Sequence, residues 1–314
     1  MEIFLSTLSQ MGFLLVLIAS GYIVTRLGVV DEKAATVLSK LENNIFIPAL
    51  ILSTFIKNFT VERLGSAWKF FICGAIVVLL SIPIAYLGAR MCTKDAYIKK
   101  LFIYSLTFAN FGFMGNAVVL ALFPDMFMEY VIFVIPFWIL IYGWAVPTLL
   151  VPSEHHSGKL ADKLKPFLNP MFISIPIGAI IGLCKTPMPE FLESSIDSLG
   201  SCMSPLAMLL TGITIAKINL KTTFKNIEIY KVTFLRLIVI PVIAIAVLML
   251  VKLPYEIALC TMCALSMPLG LNTIVVPGAY GKDTTVGAGM ALISHLLSVA
   301  TIPLVFMLFD LLVK

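Results

Sequence analysis

The chain has 314 residues, 60% of them hydrophobic and 12% charged, and its mean hydropathy is +1.04. Charged residues make up about a quarter of soluble domains, so this composition excludes an ordinary soluble domain. The formal net charge of +5 comes from Lys and Arg residues spread over the loops between apolar runs. Because these residues form no patch beside aromatic side chains, a nucleic-acid partner is not expected.

Ten apolar runs follow one another along the chain, and most have about the 20 residues that a helix needs to cross a bilayer. A transmembrane β-barrel would instead show alternating segments of about 10 residues. The predicted spans cover residues 4–27, 34–56, 68–91, 101–123, 130–151, 169–184, 197–216, 229–251, 257–280 and 285–312. The sequence therefore predicts an all-α polytopic membrane protein with ten transmembrane helices. We expect the first span to be a retained helix, because it lacks the basic region and cleavage site of a signal peptide.

The distribution of basic residues between the loops predicts the orientation. Fourteen Lys and Arg residues lie in loops that follow odd-numbered spans and six lie on the other side. The fourteen are Arg26, Lys33, Arg90, Lys94, Lys99, Lys100, Lys159, Lys163, Lys165, Lys217, Lys221, Lys225, Lys231 and Lys282, and the six are Lys57, Arg63, Lys69, Lys185, Lys252 and Lys314. The positive-inside rule places the odd loops in the cytoplasm and both termini outside the plasma membrane.

Two membrane-length runs are interrupted by glycine and asparagine at matching places, FANFGFMGNA at 108–117 and SMPLGLNTIVVPG at 266–278. An unpaired backbone amide in hydrocarbon costs several kcal/mol, so a helix is broken there only where protein or a solvated cavity satisfies the freed groups. A pair of interrupted helices, one in each half of the chain, is typical of the substrate site of a secondary transporter. The fourth and ninth helices are therefore predicted to be broken.

Three landmarks recur at one spacing of half the chain length. Gly21 matches Gly178 and Pro48 matches Pro205 at an offset of 157 residues, and Asn116 matches Asn272 at an offset of 156. Each copy would hold five spans, and an odd number inverts the second copy in the membrane. The predicted division is a first repeat at 1–152, a polar cytoplasmic linker at 153–166 and a second, inverted repeat at 167–314. Inverted repeats are a recurring architecture of secondary transporters.

The interrupted helices supply most of the candidate site residues. Glycine leaves helical geometry at little steric cost, and proline removes a backbone donor. We expect Gly112, Gly115 and Gly270 to open the helices, with Pro268 and Pro277 assisting in the ninth. Partial positive charge at half-helix N-termini suits a carboxylate. The amides of Asn110, Asn116 and Asn272 are predicted to bind it, or alternatively to satisfy freed backbone groups.

Other polar residues lie in the second, eighth and tenth spans. Asn43 and Asn44 are predicted to face the cavity, and Glu42 either faces it as a proton-coupling group or pairs with Lys40 near the interface. Among the remaining intramembrane ionisable residues, His295 either carries a coupling proton or bonds to a helix carbonyl. Arg236 lies close enough to the basic side that its side chain is expected to reach the interface.

The sequence also lacks several kinds of site. The six cysteines lie in or beside apolar runs, and Cys260-x-x-Cys263 has neither a second pair nor a histidine cluster, so no disulfide, metal site or cofactor is expected. No nucleotide-binding G-x-x-x-x-G-K-[ST] loop, catalytic Ser/His set or potassium-selective filter is present. In the sixth span, Gly178 and Gly182 are predicted to allow close helix packing. We therefore do not expect an enzyme.

Over its whole length the chain resembles the auxin efflux carrier family, which contains the plant PIN exporters and bacterial carriers of malate or malonate. The resemblance lies in Gly21-Tyr22, NNIFIPALILSTF at 43–55, ANFGFMGNA at 109–117, SPLAMLLTGITIA at 204–216 and MPLGLNTIVVPGAYGKD at 267–283. It implies a five-plus-five inverted repeat similar to the bile acid sodium symporter fold, in which broken helices 4 and 9 cross. It also implies a scaffold of helices 1, 2, 6 and 7, a transport domain of helices 3–5 and 8–10, and an elevator mechanism.

The same resemblance implies that Asn110 helps to hold the substrate and that helices 2 and 7 form a homodimer surface. Ala117 and Thr273 stand where relatives often have proline, which argues against auxin itself. The sequence thus predicts a plasma-membrane carrier of small organic anions, mono- or dicarboxylates, with H+ or Na+ left open as the coupling ion. Two alternatives stay open: a sodium-coupled symporter of the bile acid type, and a receptor or sensor that binds ligand without moving it.

Overall fold

A computed structural model describes residues 2–31, 33–152, 165–216 and 220–313. Within these ranges the regular structure is helical, and the one β-type feature is an isolated bridge between Ala109 and Leu269. The predicted all-α class is confirmed. Most of the predicted linker at 153–166 lies outside the described residues.

The first half of the described chain contains seven α-helices and several π-helical or 3-10 segments. The helices are α1 Glu2–Arg26, α2 Ala34–Leu41, α3 Ile47–Asn58, α4 Val61–Cys92, α5 Ala96–Thr107, α6 Asn116–Leu122 and α7 Phe127–Leu140. The π segments are Glu42–Phe46, Phe111–Gly115 and Ile141–Leu150, and a 3-10 turn covers Pro124–Met126. The segment Glu42–Phe46 joins α2 to α3, whereas Phe111–Gly115 extends α6 at its start and Ile141–Leu150 extends α7 at its end.

The second half of the described chain is also built of α-helices with short π and 3-10 segments. Its helices are α8 Pro170–Cys184, α9 Glu190–Ser201, α10 Met203–Ile215, α11 Leu220–Lys225, α12 Ile227–Phe234, α13 Ile240–Val251, α14 Tyr255–Leu265, α15 Asn272–Ala279 and α16 Thr285–Val313. The π segment Leu235–Val239 joins α12 to α13, and a 3-10 turn covers Lys165–Leu168.

Seven helical rods in the described ranges are long and apolar enough to cross a membrane. They are Phe4–Arg26, Ala34–Asn58, Val61–Cys92, Pro124–Leu150, Glu190–Ile215, Ile227–Val251 and Thr285–Val313. Three further apolar helices are shorter, Phe111–Leu122, Pro170–Cys184 and Tyr255–Leu265. Two of the shorter helices belong to the interrupted runs, because an interruption divides one membrane-length segment into two. The count of ten spans and their inverted arrangement stay predictions.

Several helices start earlier than hydropathy predicts, because polar caps and not apolar residues set their ends. Helix α4, the third predicted span, begins at Val61 and not at residue 68, with the Thr60 hydroxyl accepting the Arg63 N–H at 3.4 Å. Asp95 accepts the Ile98 N–H at 2.8 Å and starts α5 before the predicted residue 101. Side chains at N-cap positions satisfy amides that have no partner within the helix.

Close helix packing is concentrated at glycines. A Cβ at Gly182 in α8 would lie 2.6 Å from the Phe55 carbonyl oxygen, and one at Gly178 would lie 2.8 Å from the Phe55 Cβ. The predicted role of this glycine pair in helix packing is therefore confirmed, with α3 as the partner. In α1, a Cβ at Gly21 would overlap the Leu209 carbonyl oxygen of α10. Glycine at these places lets two backbones approach within direct contact.

Candidate functional site

The two interrupted helices meet at their interruptions. Helix α5 ends at Thr107, and regular structure resumes at Phe111. Between them, Phe108 is extended, and Ala109 pairs with Leu269 in an antiparallel bridge. The Asn110 N–H donates to the Pro268 carbonyl oxygen at 2.8 Å. Backbone groups that leave one helix are thus satisfied by the other, as an apolar surrounding requires.

Gly270 lies in the non-helical residues 266–271 of the second interrupted helix, as predicted. In the first interrupted helix, Gly112 and Gly115 do not make the opening, contrary to the prediction, because both lie within the π segment Phe111–Gly115. The residues that leave helical geometry are Phe108, with φ −117° and ψ 98°, and Asn110, with φ −78° and ψ 45°. Gly115 has helical angles of −61° and −46°. A Cβ at Gly115 would overlap the Tyr130 hydroxyl, which donates to the Phe111 carbonyl at 2.9 Å. This glycine therefore makes room for a side chain that satisfies the π segment.

Arg236 does not reach the membrane interface as predicted. Its side chain is fully buried. The guanidinium Nε donates to the Met267 carbonyl at 3.1 Å, and Nη1 donates to the Leu106 carbonyl at 2.9 Å. Nη2 donates to the Ala264 carbonyl at 2.9 Å. The expectation failed because the eighth predicted span packs against the crossing helices, and their carbonyl groups replace water around the cation.

A cavity of about 1050 Å³ lies against the crossing. Its rim includes the exposed residues Thr36, Lys40 and Thr285, and its floor includes the buried residues Tyr104 and Asn110. The predicted site residues that line it are Asn43, Asn110, Gly112, Gly270 and Asn272. The predicted site residues outside its lining are Glu42, Asn44, Gly115, Asn116 and His295.

Asn110 connects the cavity to a buried histidine behind it. The Asn110 Nδ2 lies 3.0 Å from His295 Nε2, and His295 Nδ1 lies 2.7 Å from the Ala291 carbonyl oxygen. A carbonyl only accepts, so the hydrogen is on Nδ1, and Nε2 accepts from the Asn110 amide. His295 therefore fixes the orientation of the Asn110 amide, and the second hydrogen on Nδ2 stays available to another acceptor.

Asn272 has an equivalent partner on the other interrupted helix. Its Nδ2 donates to the Tyr104 hydroxyl oxygen at 2.7 Å. Tyr104 is buried in α5 and lines the cavity floor. Because its oxygen accepts from Asn272, its own hydrogen is available to an acceptor in the cavity. The two amides and this hydroxyl bring hydrogen-bond donors from both helices to one place.

The charges around the cavity favour an anion. Lys40 is the one charged side chain among the lining residues that the structure describes, and it is exposed to the cavity mouth. The helices that restart at Phe111 and Asn272 direct their N-terminal ends at the floor, and such ends carry partial positive charge. Asp283 directly precedes the lining residue Thr284. Its carboxylate accepts from the Thr285 N–H and hydroxyl, which lowers the pKa of this carboxyl. The negative charge of Asp283 is therefore stabilised by hydrogen bonds at the start of α16.

Asn43 and Asn44 differ in position. Asn43 is half-buried in the lining, and its amide donates to the Ser39 carbonyl at 2.7 Å. Asn44 is exposed, donates to the Lys40 carbonyl at 2.8 Å, and does not line the cavity. In a π segment, neighbouring residues point in different directions, so only one of two adjacent asparagines reaches the cavity.

Glu42 is fully buried in the same π segment, and neither of its carboxyl oxygens has a hydrogen-bond partner. The predicted alternative in which it pairs with Lys40 is wrong, because Lys40 lies at the cavity and takes part in no ion pair of the described residues. An isolated carboxylate costs far more to bury than a protonated carboxyl. The arrangement favours a protonated Glu42.

Comparison with known proteins gives the family. The model of a family described as membrane transport protein matches residues 6–160 and 156–306. The chain belongs to this family. An uncharacterized transporter of Methanothermobacter thermautotrophicus is 24% identical over 302 residues, which cover 96% of this chain and 98% of the relative. An uncharacterized transporter of Methanocaldococcus jannaschii is 26% identical over 305 residues, covering 92% and 94%. The resemblance to the auxin efflux carrier family is confirmed.

Three cavity residues of this membrane transport protein were not predicted from sequence. Tyr104 lies in an apolar run six residues before Asn110, and Trp138 and Tyr142 line the cavity from the fifth predicted span. The two rings stack with centroids 6.0 Å apart. Residues four apart lie on one helix face, so this spacing is the sequence feature from which a shared position of the two rings could have been predicted. It was uninformative because aromatic pairs at that spacing are common in membrane helices.

Proposed function

We propose that this membrane transport protein is a secondary carrier of small organic anions, mono- or dicarboxylates, in the plasma membrane. The observation that carries the proposal is the cavity itself, whose lining combines one cation, two half-helix N-termini and the amides of Asn110 and Asn272 at the crossing. Each hydrogen bond to a charged group is worth about 1.5–3 kcal/mol. Favourable helix ends add about 0.3–1 kcal/mol each. A carboxylate is the ligand that these groups match.

In the proposed complex the carboxylate lies at the cavity floor. Asn110, Asn272 and the Tyr104 hydroxyl donate to its oxygens, while Lys40 attracts it from the mouth. The remainder of the ligand lies against the aromatic pair Trp138 and Tyr142. This division into a few polar groups and an apolar wall is typical of small-molecule sites.

The inverted repeat and the elevator motion belong to the same proposal. A packing contact recurs at the offset found in the sequence: a Cβ at Gly21 would contact the backbone of Leu209, and a Cβ at Gly178 would contact the backbone of Leu52. Both partners are separated by 157 residues, as are the two glycines, which supports two copies of one helix pair. We assign these close-packed helices to the scaffold and the crossing helices to the transport domain.

The side to which the cavity extends supports alternating access. Its rim residues Thr36 and Thr285 lie at the start of the second and tenth predicted spans, on the side of the membrane with most of the basic loops. We therefore interpret the structure as a cytoplasm-facing state, with an outward-facing state reached by movement of the crossing helices. Substrate bound at the floor would be exposed to one side at a time.

Proton coupling is proposed through His295 and not by direct contact with substrate. A protonated imidazole donates from both nitrogens, so Nε2 could no longer accept from Asn110. The Asn110 amide would have to turn its oxygen toward His295. Its NH2 group would then move to the place of the oxygen, which changes the donors that face the substrate. A proton on His295 and an anion at the floor would thus be linked through one amide.

The test is uptake of labelled mono- and dicarboxylates into proteoliposomes, with and without proton and sodium gradients. Asn110→Ala and Asn272→Ala should each lower uptake at least about tenfold, since each removes a hydrogen bond to a charged group. The matched control is Asn58→Ala, because the Asn58 amide donates to a helix carbonyl at 2.9 Å and lies outside the cavity lining. Unchanged uptake in both cavity variants would refute the site.

The same assay separates the other candidates. Uptake that requires sodium would favour a sodium-coupled symporter of the bile acid type. Saturable binding of a carboxylate measured by calorimetry, with no uptake by correctly folded protein, would favour a receptor or sensor. Uptake driven by a proton gradient and independent of sodium is the result that the proposed coupling requires.

A further inference from the structure

Arg236 is placed where two separate defects of the crossing helices come together. The Ala264 carbonyl would bond to the amide of residue 268 in a continuous helix, but residue 268 is proline and has no N–H. The Leu106 carbonyl would bond to the Asn110 N–H, which instead donates to the Pro268 carbonyl at 2.8 Å. Both freed carbonyls, together with that of Met267, accept from the Arg236 guanidinium.

The same carbonyls lie at the negative ends of two helices. Leu106 is in the last turn of α5, and Ala264 is in the last turn of α14. Cations are favoured at such ends, and in broken-helix carriers unwound carbonyls and helix C-termini coordinate a metal ion. Here the Arg236 guanidinium lies at these helix ends in place of a metal ion. The side chain is buried and takes part in none of the ion pairs of the described residues.

We propose that Arg236 is a built-in cation and the positioning residue of the crossing: its guanidinium takes the place of a bound metal ion at the paired helix ends and holds both interrupted helices in one arrangement. The planar fork reaches the ends of two helices at once. A metal ion could leave between transport cycles, whereas Arg236 is covalently attached. The crossing would therefore keep its geometry in every conformational state and need no metal ion at this place.

Removal of this side chain should leave a carbonyl-lined space of guanidinium size. The proposal accordingly predicts that Arg236→Ala is repaired by a small guanidinium ion from solution. The first measurement uses purified protein without substrate, so that it does not depend on the proposed function. Arg236→Ala should show a lower Tm, and millimolar guanidinium or methylguanidinium should raise it saturably compared with the same concentration of potassium chloride. Wild type and Arg90→Ala, whose side chain is exposed in α4, should not respond.

The second measurement rests on the proposed function and uses the uptake assay. Arg236→Ala should lower uptake at least about tenfold, and added guanidinium should restore part of it. Wild-type uptake should be the same when N-methylglucamine replaces sodium and potassium. Arg236→Lys should keep more uptake and a higher Tm than Arg236→Gln. Lysine retains the positive charge, whereas glutamine has two hydrogen-bond donors but no charge.

The results separate the two proposals. A folded Arg236→Ala protein with no specific guanidinium response would overturn the built-in cation, whatever the uptake assay shows. A guanidinium response without uptake of any carboxylate by wild type would keep the cation and refute the carrier. Where Arg236→Ala fails to fold, equal Tm values for the Lys and Gln variants would overturn the proposal, because the charge would then contribute nothing.

Discussion

The close contact between α1 and α10 gives a stability prediction with an internal control. A Cβ added at Gly21 would lie 3.0 Å from the Leu209 carbonyl carbon and 3.1 Å from its Cα, and closer still to the oxygen. In the same helix, a Cβ at Gly12 would meet nothing within 4 Å. Alanine at either position should gain the same helix propensity, about 1 kcal/mol relative to glycine. The two variants therefore differ mainly in the contact.

The size of the difference follows from the distances. Carbon atoms pack best at about 3.5–4.0 Å, so relief of the two carbon contacts requires Gly21→Ala to separate the helices by at least about 0.5–1 Å, and the closer oxygen requires no less. A gap of that size removes a quarter to a half of the dispersion energy of the contacts it opens, and overpacking of this kind costs about 1–3 kcal/mol. Gly12→Ala should be neutral or stabilising by up to about 1 kcal/mol.

The assay is thermal unfolding of purified protein in one detergent, with both variants measured beside wild type. At about 2–4 °C per kcal/mol for chains of 150–250 residues, the Tm of Gly21→Ala should be about 2–12 °C below that of Gly12→Ala. Equal Tm values would show that α1 and α10 are not in direct backbone contact. That result would refute both the packing described above and its use as support for the repeat.

Three further predictions concern the cavity and use the proteoliposome assay. Lys40→Gln should raise the KM for a carboxylate about threefold to tenfold, because a charge at the mouth contributes about 1 kcal/mol in a water-like surrounding; Lys94→Gln, an exposed lysine outside the lining, should not. His295→Gln should remove the dependence of uptake on a proton gradient while uptake down a substrate gradient continues; retained proton dependence would refute the coupling role. Gly112→Ala should lower uptake, because its Cβ would lie 2.6 Å from two atoms of a neighbouring indole ring and push that ring into the cavity. An unchanged KM in Gly112→Ala would show that the ring is not part of the site.

Local features of the sequence were sufficient to predict the fold class and the place of the interruptions. Apolar run length follows from bilayer thickness, which each segment must match on its own. The breaks after Thr107 and Leu265 were visible because proline, asparagine and glycine are unusual in such runs. The packing role of Gly178 was likewise predictable, since small residues four apart make one smooth helix face.

The ends of the helices and the residues that cause the breaks were harder to predict from the sequence. Hydropathy placed the start of the third span at residue 68, whereas the Thr60 cap starts it at Val61. Gly112 and Gly115 were expected to open the first interrupted helix, but Phe108 and Asn110 carry the non-helical angles there, whereas Gly270 does lie in the break of the second. A glycine permits both an unusual backbone angle and a close approach, and the sequence does not distinguish the two uses.

The sequence by itself determined a membrane protein of this family with paired interruptions and candidate amides at them. Only the tertiary structure decided what those groups contact: His295 behind Asn110, Tyr104 beside Asn272, and Arg236 at the carbonyls of both helices. These partners lie between 28 and 185 residues apart in the chain. A buried polar group needs a partner wherever the fold supplies one, and composition and periodicity describe only near neighbours along the chain.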